Sequence, residues 1–93
     1  MIATIYSTRT YEENNFSYDN ACQTAQRVMV SNNDRIARIN FEGVTATTTS
    51  ALARLILLRR HLLESGRDLR IVGLDGRAKA LYEVNKLQGV LPQ

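Results

Sequence analysis

The sequence predicts a small α/β fold, with a mostly parallel central sheet and helices packed on it. Two observations carry that expectation. Short strand-like segments alternate with helical ones along the whole chain, and a strand that feeds a helix before the next strand needs a crossover, which favours parallel pairing. The second is length: 93 residues suffice for one modest core, so residues 1–93 are expected to form a single domain.

The elements follow in order. Ile2 to Thr8 alternates Ile2, Thr4 and Tyr6 against Ala3, Ile5 and Ser7, and reads as a strand. Arg9 to Tyr18 is polar and reads as a loop with a short extended piece near Phe16; Tyr6, Tyr11 and Tyr18 are expected at the partly buried edge of the domain. Asp19 or Asn20 can cap a helix that runs to Val30, with Ala21, Cys22, Ala25, Val28 and Met29 on its apolar face. Ser31 to Asp34 is a turn. Arg35 to Phe41 is a strand, ended by Glu42-Gly43. A helix is expected from Thr49 to Ser65, stopped by Gly66. Leu69 to Gly73 is a short buried strand, and Asp75-Gly76 turns the chain into a last helix over Arg77 to Leu87, with Ala78, Leu81 and Val84 facing inward. Gln88-Gly89 ends it, and Val90-Leu91 is expected to pair briefly before Pro92.

Composition narrows the function classes. Hydrophobic residues make up 44% and charged residues 23%, which is the composition of a globular domain. The net charge of +3 permits an acidic partner, but the basic residues form no long run and have no interleaved aromatics, so no nucleic-acid partner is expected. Cys22 is the only cysteine, so no internal disulfide can form, and a reducing, cytoplasmic setting is the default. The N-terminus lacks a basic region followed by an apolar run, so no signal peptide is expected. The strongest apolar run, Leu55 to Leu58, is far too short for membrane insertion.

The long helix divides into two faces. Ala51, Leu52, Leu55, Ile56, Leu58, Leu62 and Leu63 share a broad apolar face that must pack on the sheet. Arg54, Arg60, His61 and Glu64 are expected in solvent. Ala53 and Leu57 lie one turn apart among these polar residues, and such a rimmed apolar pair is a candidate interface centre, although single exposed leucines are also ordinary.

Searches for catalytic chemistry return nothing. One histidine and one cysteine build no zinc site, and no carboxylates carry metal-ligand spacing. No glycine-rich phosphate loop is present. No base is nominated for a serine or threonine nucleophile: His61 lies more than three helical turns beyond Thr49. The expectation is a protein that is not an enzyme, with no cofactor, no metal and no catalytic residue. Cys22 reads as a small buried hydrophobe and His61 as a solvated helix residue.

What remains is the run Val44-Thr45-Ala46-Thr47-Thr48-Thr49-Ser50, with five hydroxyl residues in six positions between a strand and the long helix. Two compatible readings stay open. Thr47, Thr48 or Thr49 caps the helix by accepting a backbone N–H, an interaction worth about 1 kcal/mol. Alternatively, an exposed hydroxyl here accepts a phosphate, whose dianion would sit on the positive end of the helix dipole and change the charge of a binding surface.

The segment from Arg35 to Leu91 resembles the STAS domain, the family of anti-sigma-factor antagonists and sulphate-transporter tails. In that family an apolar strand leads into Asp-Ser-Ser/Thr-Gly-Leu-Gly and a helix, then a glycine, a short apolar strand and a last helix. Here Val44-Thr45-Ala46-Thr47 precedes Thr48-Thr49-Ser50-Ala51-Leu52-Ala53, Gly66 falls at the helix-end glycine without a gap, Leu69 to Leu74 occupies the next strand, and Leu81, Val84 and Leu87 fit the last helix. Residues 1–18 are atypical, because the family has two strands before its first helix and only one is legible here.

The resemblance implies a bacterial regulator of transcription that works by protein–protein contact. By position, Thr49 stands where the family carries its phosphorylatable serine, with Thr48 and Ser50 as rival acceptors. Thr48 replaces the family's aspartate and Ala51 its glycine, which removes a carboxylate beside the acceptor. The implied partner is an anti-sigma factor, a serine kinase of the histidine-kinase-like ATPase type, docking on Thr47, Thr48, Thr49, Ser50, Ala53, Arg54, Leu57 and Arg60. A second branch is similar too: the small STAS subunit of the ABC complex that moves phospholipids for outer-membrane asymmetry, which binds the ABC transporter ATPase without being phosphorylated. A third class within the family, a nucleotide- or small-ligand-binding module, has no pocket signature here.

Overall fold

The computed structural model describes residues 8–12, 15–31, 34–44 and 46–93. Strands β1 (Thr8–Glu12), β2 (Ile36–Asn40) and β3 (Asp68–Val72) alternate with helices α1 (Tyr18–Val30), α2 (Thr49–Glu64) and α3 (Gly76–Val84), followed by a short 3-10 turn over Leu87–Gly89. The strands form one sheet in the order β1-β2-β3, parallel throughout. The α/β class and the parallel sheet are as the sequence predicts.

The register sorts side chains into two faces. Tyr11, Ile39 and Ile71 stand side by side across the three strands, and Ala37 stands beside Leu69; all five are buried. Both crossovers step along the sheet in the same direction, so a common right-handedness puts α1 and α2 on the same face, where they pack against each other. Ala21, Ala25 and Val28 of α1 join Leu52, Leu55, Leu58 and Leu62 of α2 in the core. The alternate strand residues, Thr10, Ile36, Arg38, Asn40, Asp68, Arg70 and Val72, are exposed or half-buried.

A strand runs over residues that the sequence reads mostly as loop. Ile2 to Ser7, most of the expected first strand, lie outside the described residues; Thr8, its expected last residue, and Arg9 to Glu12, expected in a loop, pair with Ile36 to Asn40. Pairing with β2 and burial of Tyr11 make Thr-Arg-Thr-Tyr-Glu a strand despite its polar composition. Tyr11 is a core residue rather than an edge one, with Arg9 and Arg27 over its ring at 5.4 and 5.9 Å. Tyr18 is exposed.

The helix ends carry identifiable caps. Ser17, not Asp19 or Asn20, caps α1: its Oγ accepts from the Asn20 backbone N–H at 3.2 Å, so the helix starts at Tyr18. Thr24 replaces Met29 on the buried face, Met29 is exposed, and Cys22 is half-buried rather than enclosed. At the end of α2, Gly66 (φ +76°) takes the left-handed conformation, its N–H reaching Leu63 O at 3.2 Å and the Arg67 N–H reaching Leu62 O at 2.8 Å. That pair of bonds is a Schellman motif, and it satisfies two otherwise free carbonyls. Leu63, expected inward, is exposed, and Ile56 is half-buried.

The last helix is rolled relative to expectation. It buries Ala78 and Tyr82, leaves Leu81 half-buried and leaves Val84 78% exposed. Tyr82 wins the inward position because its hydroxyl finds Leu91 O at 2.5 Å, so its polar tip is satisfied while its ring is buried. The helix stops at Val84 instead of Leu87, with Asn85 Nδ2 on Leu81 O at 2.8 Å and Lys86 left-handed at φ 53°. The terminal segment does run beside β3, through the Ile71 N–H to Pro92 O at 2.9 Å.

Two arginines tie the layers together. Arg67 donates from Nε to Asp34 O at 2.6 Å and from Nη1 to Val28 O at 3.1 Å, joining the end of α1 to the approach to β2. Arg59 of α2 pairs through Nε with Asp68 Oδ1 at 2.8 Å and donates to Val90 O at 3.3 Å. Among the described residues no helix is long and apolar enough to cross a membrane.

Candidate functional site

The hydroxyl run sits at the C-terminal end of β2, where the chain turns into α2. Phe41 continues the strand by donating its N–H to Val72 O at 2.8 Å, and its ring is buried. Val44 N–H then closes a turn onto Phe41 O at 3.0 Å. Beyond it, Phe16 reaches across: its N–H donates to Ala46 O at 2.9 Å, and it forms a parallel bridge with Thr47. Phe16 is itself fully buried, so the loop is held from beneath by the segment that leads into α1. Thr45 lies outside the described residues.

Within the run the hydroxyls have separate roles. Thr48 is the N-cap of α2: its backbone is extended (φ −133°, ψ 161°), and its Oγ1 accepts from the Ala51 N–H at 3.1 Å. Of the three expected capping candidates, geometry selects the middle one. Ser50 Oγ lies 3.1 Å from Thr48 Oγ1 and forms a separate hydroxyl–hydroxyl hydrogen bond with it. Thr47 is half-buried, and its Oγ1 is shielded from solvent with no partner among the described residues. Thr49, the first residue of the helix, is exposed, and its hydroxyl makes no hydrogen bond among the described residues. Thr48, Thr49 and Ser50 are thus all at the surface, but only the Thr49 oxygen is uncommitted.

The outer surface of α2 continues from that oxygen. Thr49, Ala53 and Leu57 succeed one another at four-residue spacing and so stack on one side of the helix, with Arg60 following at the three-residue spacing that keeps the same side. All four are exposed, Leu57 at 49%. They lie opposite Ala51, Leu55, Leu58 and Leu62, which face the sheet. The stripe from Thr49 to Leu57 runs for about 12 Å along the axis at the α-helical rise. Arg54, expected in solvent, is half-buried and stands to one side of the stripe. His61 lies at the far end, 4.0 Å from Glu64 in an exposed contact.

Electrostatically the start of α2 is permissive to an anion. Its first turn contains no acidic residue, and the helix presents its free N–H groups there. Among the described residues only the Ala51 N–H there is taken by a side chain.

A second surface feature adjoins the loop. Ala46 and Thr47 face Arg77, Ala80, Leu81 and Val84 of α3 across an open groove of about 390 Å³. Reading Val84 as a core residue hid this groove in the sequence; the signal that would have found it is Tyr82, four residues beyond Ala78, as the better inward-facing partner. Among the described residues no group of three or more His, Cys, Asp or Glu side chains is gathered as a metal site would require.

The chain matches no protein-family model, and no curated protein matches it.

Proposed function

We propose that this chain is a non-enzymatic, STAS-like regulatory module of the anti-sigma-factor-antagonist type, docking a serine-kinase anti-sigma factor of the histidine-kinase-like ATPase kind through the hydroxyl run and the outward side of α2. The observation that carries the reading is continuity. Thr49, whose exposed hydroxyl makes no hydrogen bond among the described residues, opens an exposed stripe that passes through Ala53 and Leu57 to Arg60. Small and apolar side chains ringed by polar ones make a plausible interface centre. A phosphate on Thr49 would place a dianion at the helix N-terminus, where the dipole tolerates it, and in the middle of the contact, where it repels an acidic or apolar partner surface. The switch therefore acts on binding and leaves the fold intact.

The test has two arms. Incubation with the cognate kinase and ATP, followed by mass spectrometry, is expected to add one phosphate that is absent from Thr49→Ala. Leu57→Asp is expected to abolish partner binding while leaving the circular-dichroism spectrum and melting temperature unchanged. Normal binding by Leu57→Asp overturns the docking face.

One observation favours a second reading of the same surface. The first turn of α2 holds no carboxylate beside Thr49, where the phosphorylated branch of the family has an aspartate. On this reading Thr48 and Thr49 are contact residues for the ATPase of an ABC transporter, and no phosphate is written. Retrieval of such an ATPase by the purified protein, with unmodified Thr49, decides for it.

A further inference from the structure

We infer that the outer edge of β1 is a strand-addition site for an extended, acidic segment of a partner protein. Along a parallel strand, successive residues turn their N–H and C=O groups to opposite sides. In β2 the Arg35 C=O accepts from the Asp68 N–H at 2.9 Å, and the Phe41 N–H donates to Val72 O at 2.8 Å. Arg35, Ala37, Ile39 and Phe41 are therefore turned to β3, and Ile36, Arg38 and Asn40 to β1. A residue so turned bonds to the two neighbours of its register partner. Arg38 stands opposite Thr10 and holds Arg9 and Tyr11, which leaves Thr8, Thr10 and Glu12 turned outward, each with an N–H and a C=O. The same rule turns Ile71 to the outer side of β3, where its N–H meets Pro92 O at 2.9 Å. The C-terminal segment thus serves that edge. No such bond is made by the outward groups of Thr8, Thr10 and Glu12 among the described residues, and all three residues are exposed. The strand contains no proline, glycine or lysine that would discourage pairing.

Charge decides which kind of strand fits. Arg9 is exposed, lies 5.4 Å over the Tyr11 ring and forms no ion pair among the described residues. Arg27 of α1 reaches the same ring at 5.9 Å. The neighbouring carboxylates do not balance Arg9. Asp34 is buried and accepts from Ser31 Oγ at 2.7 Å and from the Tyr11 hydroxyl at 3.4 Å. Glu12 lies on the opposite face of the strand and accepts from Asn40 Nδ2 at 2.9 Å. The helix-covered side of the edge is therefore positive. A second copy would bring another Arg9 to it and is disfavoured. An acidic side chain opposite Arg9 instead makes a cross-strand ion pair. An added strand with acidic residues at alternate positions puts them all on that side, while its backbone completes the ladder. This edge shares no residue with the stripe on α2, so the two readings are tested separately.

Amide NMR on the full chain tests the site, with a capped six-residue peptide of alternating threonine and glutamate added to millimolar concentration. The peptide is expected to slow solvent exchange of the Thr8, Thr10 and Glu12 amides and to leave those of Arg9 and Tyr11, already bonded to β2, unchanged. Glutamine in place of glutamate is expected to weaken binding about fivefold, the scale of a cross-strand charge pair. Methylation of the peptide's backbone nitrogens is expected to abolish it. Arg9→Glu is expected to transfer the preference to a peptide with lysine in place of glutamate, and circular dichroism checks that this variant is folded. Absence of binding by the glutamate peptide overturns the inference. So does equal binding by the glutamine or the methylated peptide, or a Thr10 amide already protected before any peptide is added, which would mean that the edge is occupied.

Discussion

The rings of Phe16 and Phe41 stack 4.8 Å apart, centre to centre, with their planes inclined by 24°. One residue precedes α1 and the other ends the central strand, so this contact joins two segments distant in sequence directly beneath the hydroxyl run. The same Phe16 holds Ala46 through its backbone N–H. Phe16→Ala is expected to cost about 3–5 kcal/mol, the range for truncating a buried phenylalanine. Urea denaturation measures it, and amide exchange at Ala46 and Thr47 is expected to quicken together with it. A loss below about 1 kcal/mol would mean that the loop is anchored elsewhere.

Neighbouring threonines are expected to behave differently on substitution. Thr48→Ala removes the cap on Ala51 and is expected to lower stability by about 1 kcal/mol, with Thr48→Ser close to neutral. Thr49→Ala touches no hydrogen bond of the described structure and is expected to stay within about 0.5 kcal/mol. Thermal denaturation of the three variants separates the structural hydroxyl from the free one. Equal losses at both positions would contradict that division.

Gly73 is the tightest backbone site. It has φ +73°, and a Cβ there would lie 2.5 Å from Asn40 Oδ1 and 2.8 Å from the Glu42 backbone nitrogen. Asn40 cannot move aside freely, since its Oδ1 accepts from that same Glu42 N–H at 2.9 Å and its Nδ2 donates to Glu12 at 2.9 Å. Gly66 shares the positive φ but would meet nothing. Gly66→Ala is therefore expected to cost about 1–2 kcal/mol, from the left-handed conformation alone, and Gly73→Ala to cost clearly more. Chemical denaturation of both variants gives the comparison; equal losses would remove the steric argument.

Arg67→Ala removes two charge-assisted bonds, to Asp34 O and Val28 O, and leaves both carbonyls without that donor. The expected loss is about 1.5–3 kcal/mol. Arg67→Lys cannot reproduce the fork and is expected to recover only part of it. Full recovery with lysine would show that charge, rather than geometry, is what the site uses.

Much of the fold is legible in the sequence because local signals and tertiary packing agree there. Thr49 to Leu62 carries a wide apolar face, and Gly66 marks its end, so the long helix is readable almost to the residue. Ile36 to Asn40 and Leu69 to Val72 are readable for the same reason. The largest disagreements fall where a non-local partner decides. Thr8 to Glu12 contains one apolar residue and becomes a strand through its pairing with β2. Tyr82 displaces Val84 from the core because of a carbonyl nine residues away, at Leu91. At the candidate site, the grouping of Thr49, Ala53 and Leu57 follows from helical spacing alone. Which threonine caps, and which is left free, depends on how the loop rests on Phe16, and no periodicity contains that.

The parallel sheet has a consequence for the order in which the chain acquires its structure. Each strand meets its neighbour only after an intervening helix, and the described sheet has no hairpin. No pair of strands can therefore form from adjacent chain, and the entropy of closing a long loop must be met before any ladder bond offsets it. The longest element is α2, with 16 residues, closed by Thr48 at one end and by the Schellman turn at Gly66 at the other. It is expected to be structured in the folding transition state, with β2 and β3 condensing on its inner side. Truncations of Leu55 and Leu58 should then slow folding, whereas Tyr82 and Leu91 should act chiefly on the unfolding rate.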